Sequence, residues 1–155
     1  MQPAMTVSAT PSFARRILLS IAVLAAIGAV VSSVSLYHHY GTSATAYCDI
    51  GENFNCDIVN RSTYSAILGV PVALIGVAGY LVVLALSILY RDRADTPAIL
   101  AIGSLAGLGF ALYLTYVEGF VLTAWCILCL SSLALILSIA VLSSLLWIRR
   151  IRQAD

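Results

Sequence analysis

Lysine is absent from this chain and charge of either sign is scarce. All eight basic residues are arginine, and charged residues make up only 10% of the 155. An ordinary soluble domain carries about 25%. Polar surface is short as well, because 61% of the residues are apolar and the mean hydropathy is +1.01. A single soluble domain of this length cannot hide so much apolar surface. These shortages exclude a soluble enzyme, a nucleic-acid binder and a disordered chain. No internal repeat and no low-complexity tract is present. Cysteine is sparse too, with four residues, and their spacing carries most of the functional signal.

What the chain does have is long apolar runs. A helix needs about 20 apolar residues to cross a ~30 Å hydrocarbon core. Four such runs stand at residues 13–37, 65–90, 97–120 and 124–148, with Arg15, Arg16 and Glu118 only near their ends. The expected fold class is all-α. It is an integral membrane four-helix bundle over residues 13–148, with an extracytoplasmic loop at 38–64 between the first two helices. Residues 1–12 read as a flexible tail and 149–155 as a cytoplasmic one. Thr96 and Pro97 read as an N-cap and first helical position. Gly69, Pro71, Gly76 and Gly79 are expected on the second helix, shaping a kink and letting neighbours approach. Gly103 and Gly107, four apart on the third, read as a close helix contact.

The arginines orient the bundle. Arg15, Arg16, Arg91, Arg93, Arg149, Arg150 and Arg152 fall on one side of a four-helix topology, which the positive-inside rule makes cytoplasmic. Arg61 lies on the other side with Asp49, Glu52, Asp57 and Glu118. Both termini are therefore expected inside, in a cell inner membrane, with the long loop facing the periplasm or exterior. Tyr37, Tyr40, Tyr64, Tyr116 and Trp125 would mark the outer interface, and Tyr90 and Trp147 the inner one. Arg15-Arg16 before an apolar run also suits a signal peptide. The run exceeds the usual 7–15 residues, so it is expected to stay as an anchor.

On this topology every cysteine reaches the outer, oxidising face, where disulfides form and persist. Cys48 and Cys56 lie in the loop. Cys126 and Cys129 form a Cys-x-x-Cys, whose spacing puts both sulfurs on one helix face. With Thr123 as N-cap, Cys126 is expected in the first turn near the aqueous edge, where amides and the helix dipole favour a thiolate. Cys129 is expected ~4.5 Å deeper, facing the apolar bundle and able to meet a lipid-soluble two-electron carrier, a quinone. The favoured reading is thiol–disulfide exchange. The alternatives are static disulfides and a zinc or thiophilic-metal site.

At these residues the chain resembles the vitamin K epoxide reductase (VKOR) family in its bacterial form. The match rests on the four-helix plan, the Cys-x7-Cys loop pair with Asp49 after the first cysteine, the Cys-x-x-Cys on the last helix, and Leu68-Gly69-Val70-Pro71 leading into the second helix. It covers about residues 13–148. The order of the pairs separates it from the DsbB-like oxidases, where the Cys-x-x-Cys comes first.

The resemblance implies that Cys126 and Cys129 are the active-site pair, with Cys129 reacting with the quinone. It implies a mixed disulfide between Cys56 and Cys126, and Cys48 as the residue that exchanges with a partner thiol. Ser62 matches a Ser/Thr found six residues after the second loop cysteine. Ser65 and Leu133 stand where the animal enzymes have an Asn and a Tyr at the quinone, so epoxide reduction is not implied. The cofactor expected is ubiquinone or menaquinone. The partner expected is a separate periplasmic thioredoxin-fold thiol oxidase (DsbA-like), since no thioredoxin domain follows residue 148. Membrane lipid is the remaining partner.

Other residues carry weaker signals. Tyr113 and Tyr116 are candidate quinone contacts, against a plainer core or interface role. His38 and His39 read as interface histidines, with quinone binding or pH sensing as the functional alternative. Asp49, Glu52 and Asp57 read as a solvated acidic loop, or as a guide for a partner. Glu118 reads as helix-end solvation, with proton transfer to a quinone as its alternative. The activity expected is a quinone-dependent thiol oxidoreductase supporting disulfide formation. Its rivals are vitamin K or epoxide reduction by the same relay, a thiophilic-metal transporter or sensor, and a structural subunit with static disulfides.

Overall fold

The computed structural model describes residues 12–41, 48 and 51–154. Residues 1–11 of the expected tail, and Asp49, lie outside them. Among the described residues four helices are long and apolar enough to cross a membrane, as the hydropathy pattern predicts. They are α1 (Ser12–Tyr40), α3 (Val72–Leu89), α4 (Thr96–Tyr116, continued by a π-helical turn Val117–Leu122) and α5 (Ile127–Ala154). A short helix α2 (Cys56–Asn60) lies in the loop after α1. Among the described residues the fold is all-α apart from one two-stranded hairpin, and the protein is a multi-pass membrane protein.

Helix α1 is the centre of the bundle. Its buried face runs Ala14, Leu18, Ile21, Ala25, Gly28, Ser32 and Ser35, a stripe that repeats every three or four residues. Small side chains on that stripe let neighbouring backbones come close, which is how helices associate where no water is available to drive them together. Helix α1 packs along α3 and α5, and α4 packs along α5, whereas α3 and α4 meet only sparsely. Leu18, Ile21 and Ala25 join Tyr80, Leu100, Ile136 and Ile139 in the apolar core. Gly28 forms a notch for the Tyr80 ring, since a Cβ there would fall 2.4 Å from Tyr80 Cε1. Ser104 and Ser143, both fully buried, pair hydroxyl to hydroxyl at 2.9 Å between α4 and α5.

Two stretches differ from the sequence expectation. The second span begins at Val72, because residues 65–71 end a 3-10 turn and form a hairpin of β1 (Ala66–Ile67) on β2 (Val70–Pro71). Its loop residues Leu68 (φ 52°) and Gly69 (φ 82°) both take positive φ, as a two-residue primed turn requires. Gly69 and Pro71 therefore shape a hairpin and not a helix kink. Apolar residues run unbroken from hairpin into helix, so hydrophobicity alone marks no boundary between them. The Gly103–Gly107 pair is not a close helix contact either. A Cβ on Gly103 meets nothing within 4 Å, and one on Gly107 makes only ordinary contact with Ile136.

The arginine-bearing segments gather at one end. Arg149 lies 4.1 Å over the Phe13 ring, Arg150 donates to the Arg93 carbonyl at 3.3 Å, and Arg93 covers Tyr90. Helix α5 continues through this end to Ala154, so the expected C-terminal tail is mostly helix. The cysteines occupy the opposite end. Because Tyr80 fills the Gly28 notch, Gly28→Ala is expected to destabilise by about 1–3 kcal/mol, read as a lower Tm in detergent. Gly79→Ala, with nothing within 4 Å of the added Cβ, is expected to leave Tm unchanged or raise it. Equal melting of the two variants contradicts this packing.

Candidate active site

The loop that carries the first cysteine pair is held at three places. Asn55 caps α2, accepting a hydrogen bond from Ile58 N at 3.0 Å, as an N-cap side chain should. Cys56, the first residue of α2, is disulfide-bonded to Cys48, with Cα atoms 5.6 Å apart. The loop backbone then pairs with the approach to α5: Trp125 N donates to Asn53 O at 2.9 Å and Asn55 N donates to Trp125 O at 3.1 Å. The Trp125 ring rests on Gly119, where a Cβ would stand 2.9 Å away.

The last turns of α1 secure α2 from the other side. Ser35 Oγ donates to Asn60 Oδ1 at 2.7 Å, and His39 Nδ1 donates to Asn60 O at 2.6 Å. His38 faces Asp57, Nδ1 to Oδ1 3.9 Å, and is buried, which sets aside the plain interface role expected for it. Arg61 reaches back to the Gly41 carbonyl.

Cys126 and Cys129 are free thiols. Cys126 is fully buried rather than at an aqueous edge. The docked loop covers it, and it packs in one cluster with Cys48, Cys56, Val59 and Ala124. Thr123 is not its N-cap: Thr123 is left-handed (φ 49°) and follows the π-helical turn. Cys126 itself stands where the cap belongs, with its carbonyl accepting from Leu130 N at 3.0 Å. The Cys129 thiol hydrogen-bonds the Cys126 sulfur, and the Cys129 and Leu128 amides reinforce it, holding Cys126 below the ordinary thiol pKa. Asn60 Nδ2 also points at Cys126 Sγ, at 3.9 Å.

Glu118 is not a solvated helix end. It is 2% exposed, and its Oε2 accepts the Cys126 amide at 3.2 Å. The π-helical turn places it there, and its backbone carbonyl accepts from Ala124 N at 3.2 Å.

Cys129, Glu118 and the polar groups at the head of α1 border one cavity of about 270 Å³. Most of its wall is apolar. The polar exceptions include His39, Asn60, Ser62, Ser65, Tyr80 and Ser132. Gly79 and Gly103 line it from α3 and α4 while staying exposed. The cavity is therefore open through the slot where those two helices meet sparsely.

Of the residues singled out in the sequence, Ser62 and Ser65 are in this lining. Ser65 Oγ donates to Ser62 O at 2.7 Å and lies 3.4 Å from His39 Nδ1. Leu133, Tyr113 and Tyr116 are not in the lining. Tyr113 is exposed and stacks on Phe110, and Tyr116 is exposed and stacks on Phe120.

Sequence reasoning missed Asn60, Tyr80 and Ser132. Asn60 had a signal, standing four residues after Cys56 and so on the same helix face. Tyr80 had one too, as a tyrosine in mid-span rather than at an interface. Its hydroxyl donates to Ser132 O at 2.9 Å and pairs with Ser132 Oγ at 2.9 Å. Among the described residues no group of three or more His, Cys, Asp or Glu is placed to hold a metal ion.

The arrangement is a disulfide stacked on a free thiol, followed by a second free thiol at an apolar cavity. Residues 19–144 match the sequence profile of the Vitamin K epoxide reductase family. That span includes all four cysteines, the second and third membrane spans whole, and most of the first and fourth. The chain belongs to the vitamin K epoxide reductase family, and it is a membrane oxidoreductase.

Proposed function

We propose that this protein reoxidises a periplasmic thioredoxin-fold thiol oxidase (DsbA-like) and delivers the two electrons to a membrane quinone, ubiquinone or menaquinone, in support of disulfide formation. The observation that carries this reading is the placement of the thiols. Cys129 borders an apolar cavity open between α3 and α4, and Cys126 packs between it and the Cys48–Cys56 disulfide. The arginine-rich end favours a cytoplasmic location for both termini, which puts the cysteines outside with the partner.

The relay follows from thiol–disulfide exchange. A partner dithiol attacks Cys48, opens Cys48–Cys56, and leaves as a disulfide. Cys56 then attacks the sulfur of Cys126 in an oxidised Cys126–Cys129 pair, freeing Cys129. Cys48 attacks Cys56 and releases Cys126. The loop is again a disulfide and the helix pair a dithiol, which is the state of the four cysteines here. The low thiol pKa of Cys126 makes it the better leaving group in that last step.

The cavity is close in size to small-ligand sites, which begin at ~300 Å³, and it shares their apolar wall with a few polar groups. His39, Asn60, Ser62 and Ser65 mark the polar end of the cavity, where a quinone headgroup would sit. A quinone bound there supplies the two-electron acceptor.

Two variants test the assignment. Cys129→Ala is expected to abolish reduction of a short-chain quinone by partner dithiol and to accumulate a Cys56–Cys126 disulfide, identified by peptide mass mapping. Quinone reduction at the wild-type rate contradicts the relay. Gly103→Leu is expected to narrow the slot and raise KM for the quinone about tenfold (~1.4 kcal/mol). The exchange rate between partner and loop should stay unchanged. An unaltered KM contradicts entry between α3 and α4.

A further inference from the structure

Glu118 is a buried ionisable residue beside the thiols that the relay leaves without a task. It is buried within a membrane span, a position that is costly for a carboxylate and marks function more often than structure. One of its oxygens is occupied, since Oε2 accepts the Cys126 amide. The other, Oε1, is buried with no hydrogen-bond partner among the described residues. The Cys129 thiol lies against the same carboxyl group, and Glu118 shares the cavity wall with Cys129. Among the described residues no arginine forms an ion pair with it. Among the described residues the titratable groups that act on it are Cys126 and Cys129.

The backbone is shaped around this residue. The π-helical turn Val117–Leu122 interrupts the α4 span at Glu118, and such turns recur at functional sites. A simple structural clasp for Cys126 would need only a neutral acceptor. A carboxyl group with one oxygen held and one oxygen free beside a reacting sulfur can also move protons.

We propose that Glu118 is the proton-transfer group of the Cys126–Cys129 pair, carrying protons from the two sulfurs into the cavity as their disulfide closes. This rests on the quinone reading above. Closing the disulfide breaks two S–H bonds, forms one S–S bond and releases two electrons and two protons, all taken up by the quinone, which leaves as quinol. Glu118 takes a proton from Cys129, passes it to an oxygen at the cavity, and is ready for the second from Cys126. Its carboxyl group ends the turnover as it began.

Glu118→Gln separates this role from the clasp, because the amide oxygen can still accept the Cys126 N–H. Two readouts are used on the full chain in detergent. The first is reduction of a short-chain ubiquinone by dithiothreitol, with its pH profile. The second needs no quinone: the rate at which N-ethylmaleimide alkylates Cys129 in protein whose loop disulfide is intact, followed against pH. Loop exchange with dithiothreitol is the control.

The variant is expected to lose about 100-fold in quinone reduction, the lower range for general acid–base catalysis, and to alkylate Cys129 at least about tenfold more slowly, with loop exchange retained. Wild-type rates and pH profiles in both assays overturn the proposal. If the variant loses loop exchange as well, Glu118→Ala with added formate decides: formate-dependent recovery supports the proposal and its absence overturns it. Wild-type protein that alkylates normally but reduces no quinone overturns the functional reading above and this inference with it.

Discussion

Two backbone hydrogen bonds, between Trp125 and residues Asn53 and Asn55, hold the redox loop against the start of α5. Everything at the cysteine-bearing end depends on this short pairing. It sets the Cys48–Cys56 disulfide over Cys126 and seals Cys126 from water. It also fixes where α5 can begin, because residues 124–126 are committed to the loop rather than to a first helical turn. The pairing is seated in turn by the π-helical turn of α4. There Gly119 makes room for the Trp125 ring, and Glu118 grips the backbone on both sides of Trp125.

The bundle below is arranged around an unequal set of contacts. Helix α1 binds its neighbours tightly through a stripe of small residues, and the Ser104–Ser143 pair ties α4 to α5. Little holds α3 to α4, and the cavity lies there with its glycine-lined slot. In hydrocarbon each polar group must find a partner inside the protein. Tyr80, Ser132, Ser104 and Ser143 each do so. Glu118 does so with one oxygen only, beside the sulfurs. The polar chemistry of the molecule is thus concentrated where loop, cavity and thiols meet.

Much of this was legible in the sequence. The four spans follow from uninterrupted apolar runs, and the two cysteine pairs from spacing and placement. The parts that were not legible depend on contacts between distant segments. The hairpin at Ala66–Pro71 continues the apolar run of α3, so composition cannot mark its edge. Cys126 leaves the helix because Phe54, in a loop 71 residues earlier in the sequence, bridges to Trp125. The burial of Glu118 needs an extra residue in the helical turn, which no periodicity announces. Gly103 and Gly107 have the spacing of a packing motif, and only the position of α3 shows that they border a cavity instead. Asn60 and Tyr80 acquire meaning from their partners Ser35 and Ser132 on other helices.

The central claim is that oxidation enters at the cavity and moves outward through Cys126 to the loop. The most direct measurement is the order in which the two disulfides form. Fully reduced protein is mixed rapidly with a short-chain quinone, quenched in acid at intervals, alkylated and mapped by mass spectrometry. The account predicts that Cys126–Cys129 appears first and that Cys48–Cys56 follows at its expense. Formation of Cys48–Cys56 first, with Cys126 and Cys129 still free, would contradict it.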